Sequence, residues 1–214
     1  DVTAPVVSLV IDPVTADNLV NTVEAGAPVS ITGTVSGEFN AGDTVTLTVN
    51  GTTYTGTVDA AGKFSIPVSG ADLVADPDAT VDGSVSTVDA AGNPASATDT
   101  QPYTVDTTAP VVTASSPAVT NDTTPTISGT TDLPEGSTIT VTEGGVAVCT
   151  ATVAADGSWT CDPTTALSEG SHTFTASGTD AAGNTTTATT TTVIDVTAPV
   201  VTASSPAVTN DTTP

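Results

Sequence analysis

Thr44-Val45-Thr46-Leu47-Thr48-Val49-Asn50-Gly51-Thr52-Thr53-Tyr54-Thr55 is the stretch that decides the class of fold. Val45, Leu47 and Val49 alternate with threonines, and a period of two puts the apolar set on one face of a strand. Valine and threonine are stiff at the β-carbon and suit a pleated, half-buried surface. Asn50-Gly51 then offers two consecutive residues that tolerate positive φ, as a type I′ hairpin turn requires. The stretch is therefore strand, tight turn, strand.

The same grammar continues on both sides. Ala60-Ala61-Gly62 marks a further turn, as does Ala155-Asp156-Gly157 later in the chain, and Gly144-Gly145 is a second hairpin signal. Seven strands are predicted at roughly 111–114, 126–131, 137–143, 146–153, 158–161, 171–179 and 185–194. The first half follows the same plan, with longer loops at 12–28 and 71–83. Short strands without a 3.6-residue apolar period predict an all-β fold of tandem immunoglobulin-like Greek-key β-sandwiches. Superposing Gly62 on Gly157 sets Phe64 on Trp159, Ile66 on Cys161 and Tyr54 on Cys149. Bulky or apolar residues stand at all six, so Trp159 is expected to be the central core aromatic.

Repetition sets the domain plan. Asp1-Val2-Thr3-Ala4-Pro5-Val6-Val7 recurs at Asp106 to Val112 and at Asp195 to Val201, offsets of 105 and 89 residues (1 to 106, 106 to 195). Each offset is the size of one sandwich. Residues 106–125 and 195–214 differ only in Thr107 against Val196. The expected units are 1–105, 106–194 and the truncated start of a third at 195–214, so the segment reads as an internal excerpt or a processed product. Asp-Ala-Ala-Gly-Asn appears at 89–93 and 180–184. It has turn chemistry, because Gly92 and Gly183 are free to take positive φ and Asp and Asn bond to local backbone.

Charge narrows the partners. The chain of 214 residues carries 24 carboxylates against one cation, Lys63, a formal charge of −23. Such a surface repels nucleic acid and anionic lipid and favours cations, metal ions above all. No apolar run reaches the length of a membrane span, so no direct membrane contact is expected.

The Asp-x-Thr-Ala-Pro-Val-Val opening, the Gly-Thr-Val or Gly-Thr-Thr of the second strand and the Thr-Asp-Ala-Ala-Gly-Asn turn resemble the Ig-like repeats of large secreted bacterial adhesins. These include the biofilm-associated and RTX-type adhesins and the extender region of the ice-binding adhesin. The resemblance implies a spacer at the bacterial cell surface, exported in one step, that projects a distal adhesion domain for biofilm or surface attachment. It also implies that calcium at repeat junctions makes the array rigid. The partners would be neighbouring repeats of the same polypeptide, in a monomeric extended rod.

Strand topology suggests which carboxylates could meet such an ion. In a seven-strand sandwich the second, fourth and sixth loops lie at the pole where the chain enters. That brings Asp180 and Asp132 toward Asp106, a set of hard oxygen donors with no cation nearby, which suits Ca2+. Asp1, Glu38 and Asp89 are the equivalent set in the first unit, and Asp195 belongs to a following junction. Asp12, Asp17, Asn18, Asp76 and Asp78 lie at the opposite pole, where they complete the junction site or form another. Asn121-Asp122 and Glu169 have weaker claims at the corresponding pole of the second unit. The bland alternative is that each aspartate caps its own turn.

Catalysis has little to stand on. His172 is the only histidine and lies among alternating strand residues, where an exposed or half-buried side chain is expected. Only 3% of residues are aromatic, too few to line a sugar cleft. The competing function is an adhesive module that binds a glycan or host protein through its loops. Lastly, Cys149 and Cys161 share the inward face with Val153 and Trp159. A hairpin turn at 154–157 would set them nearly opposite, so a cross-strand disulfide is expected in an oxidising setting, with two buried thiols as the alternative.

Overall fold

The computed structural model describes residues 2–204, 208, 210 and 212. It contains two compact units, residues 1–111 with 178–186, and residues 112–177 with 187–214. Asp1 lies outside the described residues, as does part of the expected third repeat.

The first unit runs β1 (Val7–Ile11), β2 (Leu19–Val20), α1 (Thr22–Ala25), β3 (Pro28–Gly37), β4 (Thr44–Val49), β5 (Thr52–Thr57), β6 (Lys63–Ser69), α2 (Gly70–Ala75), β7 (Thr80–Val88), β8 (Pro94–Pro102) and β9 (Thr104–Val105). Strands β1-β3-β6 form one sheet and β5-β4-β7-β8 the other, while β2 pairs in parallel with β9. The hairpin predicted at 44–55 is present, with Val49 opposite Thr52 and φ of 50° and 71° at Asn50 and Gly51. Val45, Leu47 and Val49 are buried with Ile31, Phe64 and Ile66. Burying each such side chain contributes about 1.5–3 kcal/mol.

The loops at 12–28 and 71–83 are not wholly irregular, contrary to the strand-only expectation. Each includes or adjoins one turn of helix. Asn21 caps α1, accepting from Val23 N and Glu24 N while Glu24 reaches back to Asn21 N, a capping box. Ser69 caps α2. Such short helices bury too few residues to leave an apolar period in the sequence.

The second unit is built from β10 (Val119–Thr120), β11 (Ile127–Thr130), β12 (Thr138–Glu143), β13 (Val146–Thr152), β14 (Ser158–Cys161), β15 (Gly170–Thr179) and β16 (Thr185–Ile194), less the tip 178–186. One sheet has the order β10-β16-β15-β12-β13; the other pairs β11 with β14 and is extended by bridges from Val112 to Thr131 and Ser115 to Ser128. Trp159 is 2% exposed and sits in the core with Ile127, Ile139 and Phe174. The second-strand glycine of each unit has a steric cause. A β-carbon on Gly33 would lie 2.3 Å from Val10 O and 2.3 Å from the Phe64 ring, and one on Gly129 would lie 1.9 Å from Thr113 O and 2.7 Å from the Trp159 ring. The first segment of each sandwich crosses directly over that glycine, so no side chain fits there.

One pairing expectation is corrected. The 154–157 turn forms, with Ala154 N bonded to Ser158 O at 2.9 Å, but β13 and β14 do not make a ladder. β13 pairs with β12 and β14 with β11, so the chain changes sheets at this turn. The structure joins Cys149 to Cys161 with Cα atoms 6.0 Å apart. The disulfide therefore ties one sheet to the other across the core rather than spanning a hairpin.

Candidate functional site: the Asp-Ala-Ala-Gly-Asn turns and the carboxylates around them

The Asp180 turn is a closed set of bonds. Asp180 Oδ1 accepts from Ala182 N at 2.9 Å and Asn184 N at 2.8 Å, and Oδ2 accepts from Asn184 Nδ2 at 3.0 Å. Burial pushes the Asp180 carboxyl upward, but the bonds from Asn184, Ala182 and Gly183 outweigh it and hold the pKa below the ordinary value. Asp89 is held the same way, through Asn93 Nδ2 at 2.7 Å, Asn93 N at 2.8 Å and Ala91 N at 2.9 Å, and its pKa is likewise lowered.

Within the first unit, Asn184 is the residue on which several segments converge. It is 2% exposed. Its Oδ1 accepts from Thr22 N at 2.8 Å and from Thr22 Oγ1 at 2.5 Å, and its Nδ2 donates to Asp106 O at 2.9 Å as well as to Asp180. Asn21 Nδ2 donates to Ala182 O at 3.0 Å, and Thr22 Oγ1 also reaches Thr107 O at 3.3 Å. Every donor and acceptor of the Asn184 amide is used. Sequence reading missed Asn21, Thr22 and Asn184 as a set, because Thr22 and Asn184 lie 162 positions apart and neither motif names the other. The recurrence of asparagine at the end of the turn was the available signal.

The Asp-x-Thr opening also acquires a physical cause. Asp106 Oδ1 accepts from Thr108 N at 3.0 Å, and Asp195 Oδ1 from Thr197 N at 3.0 Å, an Asx turn in each case. Asp106 N bonds to Val20 O and Asp195 N to Thr120 O, so each opening aspartate continues the parallel pairing of the strand before it.

The other expected carboxylates are distributed as follows. Glu38 and Asp89 line one cleft with Thr3, and Glu38 Oε2 accepts from Val6 N at 2.9 Å. Asp106 and Asp180 are linked through Asn184. Asp132 is exposed in the second unit, after β11. Asp76 and Asp78 border a cleft with Asp82, and Asp76 accepts from Thr80 N and Tyr103 OH, both at 3.3 Å. Asp12 lies instead in a cleft with Asp59 and Lys63. Among the described residues no group of three or more His, Cys, Asp or Glu side chains is arranged to hold a metal ion. Most of the carboxylates instead accept from nearby backbone N–H groups, which stiffens turns and leaves fewer lone pairs for an ion.

His172 departs from expectation. It is 8% exposed, with Nδ1 2.7 Å from Glu143 Oε1 and Nε2 2.9 Å from Ser168 O. Both nitrogens face acceptors, which suits the imidazolium. The Ser168 carbonyl, opposed by burial and reinforced by Glu143, holds its pKa above the ordinary 6.5. The stability from this pair is therefore complete below about pH 6.5 and lost as pH rises through the higher folded-state value. Urea melts of the second unit are expected to show greater stability at pH 5.5 than at pH 8.5, a difference that His172→Gln should flatten. Equal pH responses of parent and variant would contradict this.

Residues 113–196 match the bacterial Ig-like domain family. A structure from work on host cell surface retention of a 1.5-MDa bacterial ice-binding adhesin is 33% identical, with a TM-score of 0.64, over 90% of this chain and 66% of that one. The chain belongs to the bacterial Ig-like repeats of large adhesins. A Ca2+-stabilised adhesin that helps an Antarctic bacterium reach out and bind ice is 37% identical to these repeats, with a TM-score of 0.66, over 91% of this chain and 50% of that one. The chain thus spans about half to two thirds of the solved adhesin chains it matches. None of the curated proteins compared with it matches. The adhesin repeats contain, among the described residues, no helix long and apolar enough to cross a membrane.

Proposed function

We propose that this chain is a structural spacer of a giant bacterial cell-surface adhesin, non-catalytic, which projects a distal adhesion domain away from the cell for biofilm or surface attachment. The observation that carries the reading is the return of one opening sequence at 1, 106 and 195, with 106–125 and 195–214 differing at a single position. A binding module gains from variety in its loops, whereas a spacer gains from repetition. Likeness to adhesin regions along 90% of the chain supports the same reading. Neighbouring repeats of the same polypeptide are the proposed partners, with unit boundaries at 105/106 and 194/195.

Calcium is part of the proposal, with Asp106, Asp132, Asp180, Glu38, Asp89, Asp195, Asp76, Asp78 and Asp1 as the candidate ligands at repeat junctions. Its support is the charge of −23 and the Ca2+ stabilisation of a similar adhesin. Among the described residues the carboxylates do not form a ready cage, so binding would be of the modest affinity common in extracellular modules. With a dissociation constant near 10⁻⁴ M and about 1 mM calcium, each site adds about 1.4 kcal/mol. Scanning calorimetry is therefore expected to show a melting temperature several degrees higher in calcium than in chelator, with much of the gain lost in Asp180→Ala. Identical melts and identical small-angle scattering in calcium and chelator would remove the ion from the reading. Strong, specific binding on a glycan array would instead favour the adhesive-module alternative.

A further inference from the structure

Asn50 is the only asparagine in the chain that a glycine follows. Both residues of this hairpin tip are exposed, and a β-carbon on Gly51 would meet nothing within 4 Å. Among the described residues the Asn50 amide has no hydrogen-bond partner. Other asparagines are held in place. Asn18 donates to Pro102 O, Asn21 to Ala182 O, Asn40 to Val88 O and Asn184 to Asp106 O. The aspartates that precede a glycine are tied as well. Asp156 Oδ1 accepts from Ser158 N and Oγ, and Gly83, after Asp82, is paired in mid-strand with both β4 and β8.

We propose that Asn50-Gly51 is a site of spontaneous modification, at which the Asn50 amide is lost as ammonia and replaced by a carboxylate. The Gly51 nitrogen gives its proton to solvent base and attacks the Asn50 side-chain carbonyl carbon. A new C–N bond closes a five-membered imide, while the amide nitrogen takes up a proton and leaves as ammonia. Water then opens one of the two imide C–N bonds, giving aspartate or isoaspartate. Water is the sole co-reactant, and nothing is oxidised or reduced. Glycine favours the attack because no β-carbon shields its nitrogen. Asn50 and Gly51 border the cleft lined by Asp76, Asp78 and Asp82, so the product adds a carboxylate beside these three. Lys63, the chain's one cation, lies in a different cleft and cannot offset the repulsion. Isoaspartate also inserts an atom into the main chain of a two-residue turn, whose twist the Val49–Thr52 register requires. The inference does not depend on the spacer reading.

The test ages the purified chain in neutral buffer and maps it by peptide mass spectrometry. Conversion reads as a gain of one mass unit, and isoaspartyl methyltransferase labelling identifies the rearranged product. Asn50 is expected to convert about tenfold or more faster than Asn18, Asn21 or Asn184 in the folded chain, and denaturant should speed those three by more than it speeds Asn50. Gly51→Ala should slow conversion at 50 about tenfold, because the new β-carbon shields the nitrogen. Alanine is strained at that positive φ, so this comparison is repeated on the denatured chains, where folding cannot interfere. Asn50→Gln, which leaves Gly51 in place and must close a larger ring, should stop conversion there. Asn50 intact in the folded chain but reactive in denaturant, or equal rates at Asn50 and Asn184 in the folded chain, would overturn the proposal. So would equal rates with alanine and glycine at 51 in denaturant.

Discussion

Reduction of the Cys149–Cys161 disulfide is expected to destabilise the second unit by up to about 3 kcal/mol, which for a domain of this size lowers its melting temperature by roughly 10–20 °C. The bond closes a loop with a sequence separation of 12 and links β13 of the five-stranded sheet to β14 of the smaller one. It therefore limits how the unfolded chain can spread and pins the two layers of the native core together. Cys149 is 7% exposed and Cys161 9%, so reductant reaches them mainly through opening of the sandwich. In the first unit the aligned pair is Tyr54 and Ile66, with Ile66 buried in the core and Tyr54 half-buried against it. Tyr54 is anchored there by its hydroxyl, bonded to the Asp72 carboxylate and to Ser69 N at the start of α2. The second unit has no helix at that point, so a tyrosine at 149 would bury a hydroxyl without that partner. Calorimetry of the intact chain should thus show one reductant-sensitive transition and one that is insensitive. Intact-mass analysis after alkylation under denaturing conditions checks the bond directly. Two modified thiols in protein never exposed to reductant would show the prediction wrong.

The second large effect is expected from Asn184→Ala. The substitution removes a side chain that is 2% exposed and leaves Thr22 N and Asp106 O, in an exposed and a half-buried residue, without the partners they now have. A fully buried orphan costs about 1–3 kcal/mol and a partly hydrated one less, so a loss of roughly 1–3 kcal/mol is expected from the two together. Asn184→Asp should not rescue it. The carboxylate could still accept from Thr22, but it would face the Asp180 carboxylate at 3.0 Å and the Asp106 carbonyl at 2.9 Å where the amide now donates. Asn93→Ala is the internal control, because Asn93 makes the same bonds to Asp89 in a half-exposed turn. It should cost distinctly less. Denaturant melts measure the difference, and exchange of the Thr22 amide reports where the change acts. Equal losses at 93 and 184 would mean that the turn alone, and not what it holds, sets the cost.

Local patterning carried most of the architecture. The alternation at 44–49 and the Asn50-Gly51 turn determine a hairpin because a two-residue period and two positive φ values leave few other solutions. The aligned turns at Gly62 and Gly157 correctly placed Phe64 and Trp159 in two separate cores. What the sequence could not determine was pairing between strands far apart in the chain. The turn at 154–157 looks like a hairpin because its local bonds are those of one, yet β14 finds more to pair with in β11 than in β13. Only closure of the two sheets decides that, and it turns the disulfide from a hairpin staple into a link between layers. The side chain of His172 is likewise buried by neighbours, Glu143 and Ser168, that periodicity cannot assign to it. Sequence alone identified Asp180 and Asp89 as special, since short acidic side chains before glycine favour turns. The tertiary structure gave the matching role to Asn184, because a side chain that both donates and accepts can join Asp180, Thr22 and Asp106 once folding has brought them within 3.0 Å.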